Sequence, residues 1–181
     1  RFTGAIDSSV WTKDNPEKFN TLKDISKYNE LAFAKANDEI YNKQKTFAES
    51  FVKPEHRMGI FSTYSANRYH AGQSTKMSFH VDSGDTEMGL TSMCVFREGD
   101  YDGAFLTFPR YEVAIDAPDN SVVIADSLEV HGVTEIKGNG ERFSCVAYMD
   151  NRLATVGSAG KSEKLIGKYA AKTSGSLDEF L

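Results

Sequence analysis

The hydrophobic and polar positions follow two different periods along the chain. In residues 1–52, apolar residues recur every three to four positions, as they do on one face of an α-helix. The pair Asn15-Pro16 precedes the first run and is typical of a helix N-terminus. We expect two helices that pack an apolar stripe onto a flat surface. Their apolar positions are Phe19, Leu22 and Ile25 in the first run, and Phe33, Ala36, Ile40, Phe47 and Phe51 in the second.

From residue 57 to residue 150 the period falls to two, and β-branched and aromatic residues become frequent. Short strands separated by Gly, Asp and Asn turns predict a barrel or sandwich rather than alternating strands and helices. One such turn, Gly138-Asn139-Gly140, is predicted to form a hairpin. The candidate strands are 58–64, 75–82, 90–97, 103–108, 111–115, 121–125, 132–136 and 142–149.

The length of 181 residues predicts a single domain over 1–181. Within it we expect helical support in 1–52, a β-rich core in 53–150, and a C-terminal helix or tail in 151–181. The predicted C-terminal helix lies around Lys161–Lys172.

Composition excludes several classes of protein. A formal net charge of -5 excludes a uniformly basic protein that coats nucleic acid, although a local basic strip stays possible. Two cysteines, Cys94 and Cys145, exclude a disulfide-dense scaffold and a cysteine-based zinc site. No apolar run is long enough to span a membrane, and no signal peptide is visible. We therefore expect an intracellular, monomeric protein without a membrane partner.

Two histidines and one aspartate form a candidate metal site. His80-Val81-Asp82 lies at the end of a candidate strand, where residues two apart point to the same face. His131 begins a late strand. Two imidazoles and one carboxylate make the facial triad of non-haem Fe(II) oxygenases. The alternative is a pair of structural histidines, because an isolated H-x-D tripeptide often occurs by chance.

An arginine follows this site at a short distance along the chain. Arg142 and Ser144 share one face of the last predicted strand, while Phe143 takes the other. A guanidinium beside a hydroxyl suits a dicarboxylate cosubstrate, because guanidinium binds a carboxylate through two parallel hydrogen bonds.

The order His80-x-Asp82, His131, Arg142-x-Ser144 resembles that of the 2-oxoglutarate- and Fe(II)-dependent dioxygenases. The resemblance implies an α+β, mainly β fold: a double-stranded β-helix, or jelly roll, braced by N-terminal helices. It also implies Fe(II) as cofactor, 2-oxoglutarate as cosubstrate and O2 as oxidant. His80, Asp82 and His131 would bind iron, and Arg142 and Ser144 would bind the distal carboxylate of 2-oxoglutarate. The resemblance implies hydroxylation as the reaction, because halogenases of this family lack the carboxylate that Asp82 supplies here.

A finer resemblance is to the TET and JBP branch of that family, which oxidises the methyl group of 5-methylpyrimidines in nucleic acid. It implies DNA as the substrate. The alternatives are a hydroxylase of a small molecule or of a protein side chain, and a cupin-like binding module without turnover. The segments that carry this resemblance are 79–85, 103–106, 125–127, 130–133 and 142–148.

Further site residues are hypotheses from position alone. Asn67 and Arg68 are candidates for substrate contacts, and Tyr64 is a candidate hydroxyl for the cosubstrate. They lie in a segment with the basic residues Lys53, Arg57, Arg68 and Lys76, which suits an anionic substrate but equally a solvated rim.

Acidic residues near the candidate ligands are given supporting or solvent roles. Asp126 and Glu129 are expected to support His131 or to lie on the rim, because a metal-bound histidine usually donates its second N–H to an acceptor. Asp85 is expected to be a turn or solvent charge.

Overall fold

The computed structural model describes residues 9–52, 54, 57–71 and 77–153. The helix predicted around Lys161–Lys172 lies outside the described residues, as do Lys53 and Lys76 of the basic segment. Among the described residues, no helix combines the length and apolar character needed to cross a membrane.

The N-terminal part is helical, with α1 at Val10–Asp14, α2 at Pro16–Ala36 and α3 at Asp38–Phe51. The predicted helix start at Asn15-Pro16 is confirmed. The second predicted run is interrupted at Asn37, whose side-chain oxygen accepts a hydrogen bond from the Ile40 N–H (3.0 Å) and caps α3. Phe33 and Ala36 consequently belong to α2, because the cap begins a new helix after them.

The β-rich part contains more and shorter strands than the sequence predicts. The strand predicted at 58–64 begins later, and those predicted at 103–108 and 132–136 are each divided in two. The strands of the described residues are β1 (Thr63–His70), β2 (Met77–His80), β3 (Thr91–Glu98), β4 (Tyr101–Gly103), β5 (Leu106–Phe108), β6 (Val113–Ile115), β7 (Ser121–Ala125), β8 (His131–Val133), β9 (Ile136–Gly138) and β10 (Glu141–Tyr148).

Two four-stranded antiparallel sheets face each other. The major sheet has the order β1-β10-β3-β7, and the minor sheet has the order β2-β8-β5-β6. This arrangement confirms the predicted jelly roll. Apolar side chains fill the space between the sheets, including Val95, Leu106 and Ile136.

The predicted hairpin at Gly138-Asn139-Gly140 is wrong. β9 pairs with β4, whereas β10 pairs with β1 and β3, so the turn carries the chain from a small two-stranded sheet into the major sheet. Gly138 has a φ of 109°, and a Cβ there would lie 2.8 Å from the Asp100 carbonyl oxygen. Backbone proximity to β4, rather than strand reversal, is the reason for glycine at this position.

The helices cover the outer face of the major sheet. Phe33 of α2 packs with Ile60, Phe61 and Ala147 in a buried cluster. Burying one such aromatic or aliphatic side chain contributes about 1.5–3 kcal/mol. The expected bracing role of the N-terminal helices is confirmed by this packing.

A cluster of polar side chains is buried in the same helix–sheet interface; we call it the helix-side polar cluster (Asn29, Tyr64, Ser92 and Cys94). The Asn29 amide donates to the Tyr64 hydroxyl (2.7 Å) and accepts from the Ser92 hydroxyl (3.1 Å) and the Cys94 thiol (2.8 Å). Every member therefore has a side-chain partner, which is what burial of polar groups requires.

Candidate active site

The three candidate metal ligands converge at one end of the minor sheet. His80 is the last residue of β2 and His131 is the first residue of β8, and the two are directly paired across the sheet. Their ring centres are 4.5 Å apart. Asp82 lies beyond the end of β2, so a loop rather than strand alternation directs its carboxylate towards the imidazoles.

The spacing of the ligand atoms fits one metal ion. Asp82 Oδ1 lies 3.4 Å from His80 Nε2, and Asp82 Oδ2 lies 3.7 Å from His131 Nε2. All three ligand atoms lie within 4.8 Å of one another. Since ligand bonds to a first-row ion such as zinc measure about 2 Å, side chains spaced in this way can share one ion.

Both imidazoles are oriented by main-chain acceptors. Nδ1 of His80 lies 2.8 Å from the Ser78 carbonyl oxygen, and Nδ1 of His131 lies 2.8 Å from the Glu129 carbonyl oxygen. A carbonyl can only accept, so each Nδ1 carries the proton and each Nε2 presents its lone pair to the site.

The two acidic residues before His131 differ in what they contact. Glu129 supports His131 through its main chain, while its carboxylate accepts from Arg110 (2.7 Å). Asp126 is exposed and accepts from the Leu128 N–H (2.9 Å).

A cavity of about 430 Å³ lies between the two sheets, and the three predicted iron ligands line it together with Arg142 and Ser144. His80, Asp82 and His131 are at its minor-sheet side. Arg142 and Ser144 project from β10 of the major sheet, with the shared face that the sequence predicts. The volume lies within the range of ordinary small-molecule sites, about 300–1,000 Å³.

Arg142 is a buried cation without a carboxylate partner among the described residues. It is 2% exposed, and its guanidinium donates to Ser144 Oγ (3.2 Å) and to Met93 Sδ (3.5 Å). The Tyr69 ring centre lies 5.7 Å from its central carbon. Burial lowers the pKa of Arg142 from its ordinary value. A buried charge needs a counter-charge, and the cavity provides the space for an anionic ligand to supply it.

Strand β1 divides the residues predicted from its sequence between its two faces. Asn67 lines the cavity, together with Tyr69. Tyr64 and Arg68 do not lie in the cavity. Tyr64 belongs to the helix-side polar cluster, where burial raises its pKa, and Arg68 is exposed and pairs with Glu141 (2.6 Å). The sequence predicts a strand that ends at residue 64, whereas β1 continues to His70, and it is the alternation in this later part that brings Tyr69 to the cavity.

The basic segment makes little contact with the cavity within the described residues. Arg57 donates to the Gly59 carbonyl oxygen (3.1 Å), and neither Arg57 nor Arg68 lines the cavity.

Asp85 is not the solvent charge that we expect from the sequence. It is 7% exposed and lies in the cavity wall, where Thr91 Oγ1 donates to its Oδ2 (2.6 Å) and the Ser127 hydroxyl also donates to it.

Two facing antiparallel sheets, a His-Asp-His triad on one and a buried arginine on the other form the arrangement of the 2-oxoglutarate- and Fe(II)-dependent dioxygenases. This geometry agrees with the resemblance noted in the sequence, whose finer form is to the TET and JBP branch. The expected Fe(II) agrees with the His-Asp-His ligand set.

Comparisons with known proteins point to the same branch. The chain is 32% identical over 103 residues to the bifunctional helicase and thymine dioxygenase JBP2 of Trypanosoma brucei brucei (strain 927/4 GUTat10.1). The match covers 54% of this chain but 9% of JBP2, so the chain spans less than a tenth of that relative. No protein-family model matches the chain.

Among solved structures, the fold is similar to that of NgTET1 in complex with 5mC DNA. The TM-score is 0.57 at 13% sequence identity, over 76% of this chain and 54% of NgTET1. The viral collagen prolyl hydroxylase vCPH from Paramecium bursaria Chlorella virus-1 aligns with a TM-score of 0.34 at 15% identity, over 62% of this chain and 73% of vCPH. The NgTET1 comparison establishes the jelly-roll fold.

Proposed function

We propose that this chain is the catalytic domain of an Fe(II)- and 2-oxoglutarate-dependent dioxygenase that hydroxylates the 5-methyl group of a pyrimidine base in nucleic acid. One observation carries the proposal. A complete His-Asp-His ligand set and a buried arginine without a carboxylate partner among the described residues line the same cavity. A metal and a dicarboxylate are the ligands that would satisfy both at once.

Each of these side chains has a distinct task in the proposed reaction. His80, Asp82 and His131 would hold Fe(II) and leave coordination positions open. When bound, Fe(II) would activate O2, the oxidant, and 2-oxoglutarate would supply two electrons as it is converted to succinate and CO2, so that one oxygen atom enters succinate and the other enters the substrate C–H bond. Arg142 and Ser144 would bind the distal carboxylate and orient the cosubstrate. Apolar walls that include Leu106 exclude water from the cavity.

The choice of a methylated pyrimidine rests on the similar proteins. JBP2 is named a thymine dioxygenase, and NgTET1 was solved with 5mC DNA. A base can reach such a cavity only after leaving the stack. Asn67 lies in the cavity wall, and its amide offers both a donor and an acceptor to the edge of a base.

The test is mass spectrometry of oligonucleotides that contain 5-methylcytosine or thymine, incubated with the chain, Fe(II), ascorbate and 2-oxoglutarate. We expect a gain of one oxygen on the base and an equal amount of succinate. The matched control is His131→Ala, which removes one ligand and is expected to give neither product.

The other outcomes distinguish the alternatives. Succinate without base oxidation would contradict the nucleic-acid substrate and favour a small molecule or a protein side chain. If neither succinate nor base oxidation formed while Fe(II) and 2-oxoglutarate bound, the chain would be a binding module. Oligonucleotide affinity should fall as salt rises, because phosphate contacts release counterions.

A further inference from the structure

The loop that carries Asp82 is held by main-chain hydrogen bonds at both sides of this residue. The Asp82 N–H donates to the Ser127 carbonyl oxygen (2.9 Å), and the Asp82 carbonyl accepts from the Asp85 N–H (3.0 Å). Since Asp82 lies outside the strands, these bonds replace the sheet ladder that positions the two histidines.

A third hydrogen bond closes this arrangement into a ring. The Ser127 hydroxyl donates to the Asp85 carboxylate, so that Asp82, Ser127 and Asp85 are joined in a closed circuit. Thr91, the first residue of β3, also donates to Asp85 (2.6 Å) and connects the circuit to the major sheet.

The circuit connects the loops of two metal ligands. Ser127 lies in the turn from Asp126 to Glu129, whose Glu129 carbonyl orients His131, and the Asp85 N–H closes the turn that begins at Asp82. Asp85, Thr91 and Ser127 are all buried, at 7%, 8% and 7% exposure, so water competes little for these bonds.

We infer that Asp85 is a positioning residue, which acts through Ser127 to hold the Asp82 loop against the loop leading to His131. The metal ligands are then in place before an ion binds. The inference rests on the metal site of the proposed function and adds a residue to it. Removing a residue that supports metal ligands typically lowers metal affinity by about 10–100-fold, and we expect a loss in roughly this range here.

The test is Mn(II) binding by calorimetry without O2 or substrate, because this readout does not depend on turnover. Asp85→Ala should weaken Mn(II) binding by about 10–100-fold. Asp85→Asn keeps an oxygen that accepts from both hydroxyls, and it should bind within about threefold of the unaltered chain. Asp85→Leu keeps a similar volume without an acceptor and should bind Mn(II) as weakly as Asp85→Ala; recovery in Asp85→Leu would indicate a merely space-filling role and would overturn the inference.

The matched control is Asp150→Ala. Asp150 is also 7% exposed, and its main chain forms a bridge with that of Asp85. Its carboxylate, however, accepts from Arg152 (2.9 Å) and is not part of the circuit. Its removal should leave Mn(II) affinity unchanged. If Asp85→Ala does not fold, Ser127→Ala removes only the hydroxyl of the circuit and should weaken Mn(II) binding by about tenfold.

The outcomes separate this inference from the proposed function. Unchanged Mn(II) affinity in folded Asp85→Ala, or in Ser127→Ala, would overturn the inference while the metal site stands. Failure of the unaltered chain to bind Mn(II) would overturn both. An Asp85→Ala variant that loses only oligonucleotide affinity would make Asp85 a substrate contact and would also overturn the inference.

Discussion

The two faces of the major sheet both bury polar side chains, but they satisfy them differently. On the helix side, Asn29 is fully buried and exchanges hydrogen bonds with three neighbouring side chains. On the cavity side, Arg142 is also buried, and the acceptors that its guanidinium finds among the described residues are a hydroxyl and a thioether. Both residues lie within one fold, so burial alone does not distinguish structure from function.

The difference lies in the partner that satisfies the Asn29 amide and the one that the Arg142 guanidinium still requires. A satisfied neutral network contributes to stability and positions α2 on the sheet. A buried cation without a counter-charge costs stability, and a ligand that supplies the counter-charge recovers it. The helix side should therefore respond to mutation in its stability, and the cavity side in its ligand affinity.

The largest effect is expected from His80→Ala, which removes one of the three metal ligands. Succinate production should fall below detection and Mn(II) binding should be lost, whereas the thermal unfolding transition should remain. His70→Ala is the control, because His70 pairs with Glu141 (2.7 Å) and does not line the cavity. Retained turnover in His80→Ala would refute the assignment of the triad.

The next effect is expected from Arg142→Met, which keeps the side-chain length and removes the charge. Affinity for 2-oxoglutarate should fall by about 2–5 kcal/mol, the usual range for a buried charge partner. Stability of the ligand-free protein should not fall, because a costly buried cation is replaced by an apolar group. Calorimetric titration and urea unfolding measure the two quantities, and unchanged 2-oxoglutarate affinity would contradict the role of Arg142.

On the other face of the sheet, Asn29→Ala should show the opposite pattern. It leaves half-buried Tyr64 and buried Ser92 and Cys94 without their shared partner, so the free energy of unfolding should fall by about 1–3 kcal/mol. Affinity for 2-oxoglutarate should stay unchanged. The control is Asn20→Ala, an exposed position of α2. If Asn29→Ala lost 2-oxoglutarate affinity without losing stability, the structural role of Asn29 would be contradicted.

The smallest effect is expected from a matched pair of tyrosines on β1. Tyr69→Phe should weaken 2-oxoglutarate binding by about 0.5–1.5 kcal/mol, because Tyr69 lines the cavity beside Arg142. Tyr64→Phe should leave that affinity unchanged and lower stability, because its hydroxyl accepts from Asn29. Equal effects of both variants on cosubstrate affinity would show that the two faces are not independent.

The local pattern of the chain was sufficient to select the main candidate site residues. Residue type, order and the family resemblance predict His80, Asp82, His131, Arg142 and Ser144 as site residues, and the structure brings all five to one cavity. Residue type and order determine which chemistry is available. The change of hydrophobic period likewise predicted helices packed on a β-rich core.

Long-range pairing determined the rest. Tyr69, and not Tyr64, lines the cavity because β1 pairs with β10 in a register that places Tyr69 opposite Arg142. The Gly138 turn joins two sheets because β9 pairs with β4. The Asp85 carboxylate is buried because Ser127, which is 42 positions away along the chain, meets it together with Thr91. A sequence specifies local period and chemistry, whereas register and burial depend on residues that are neighbours only after folding.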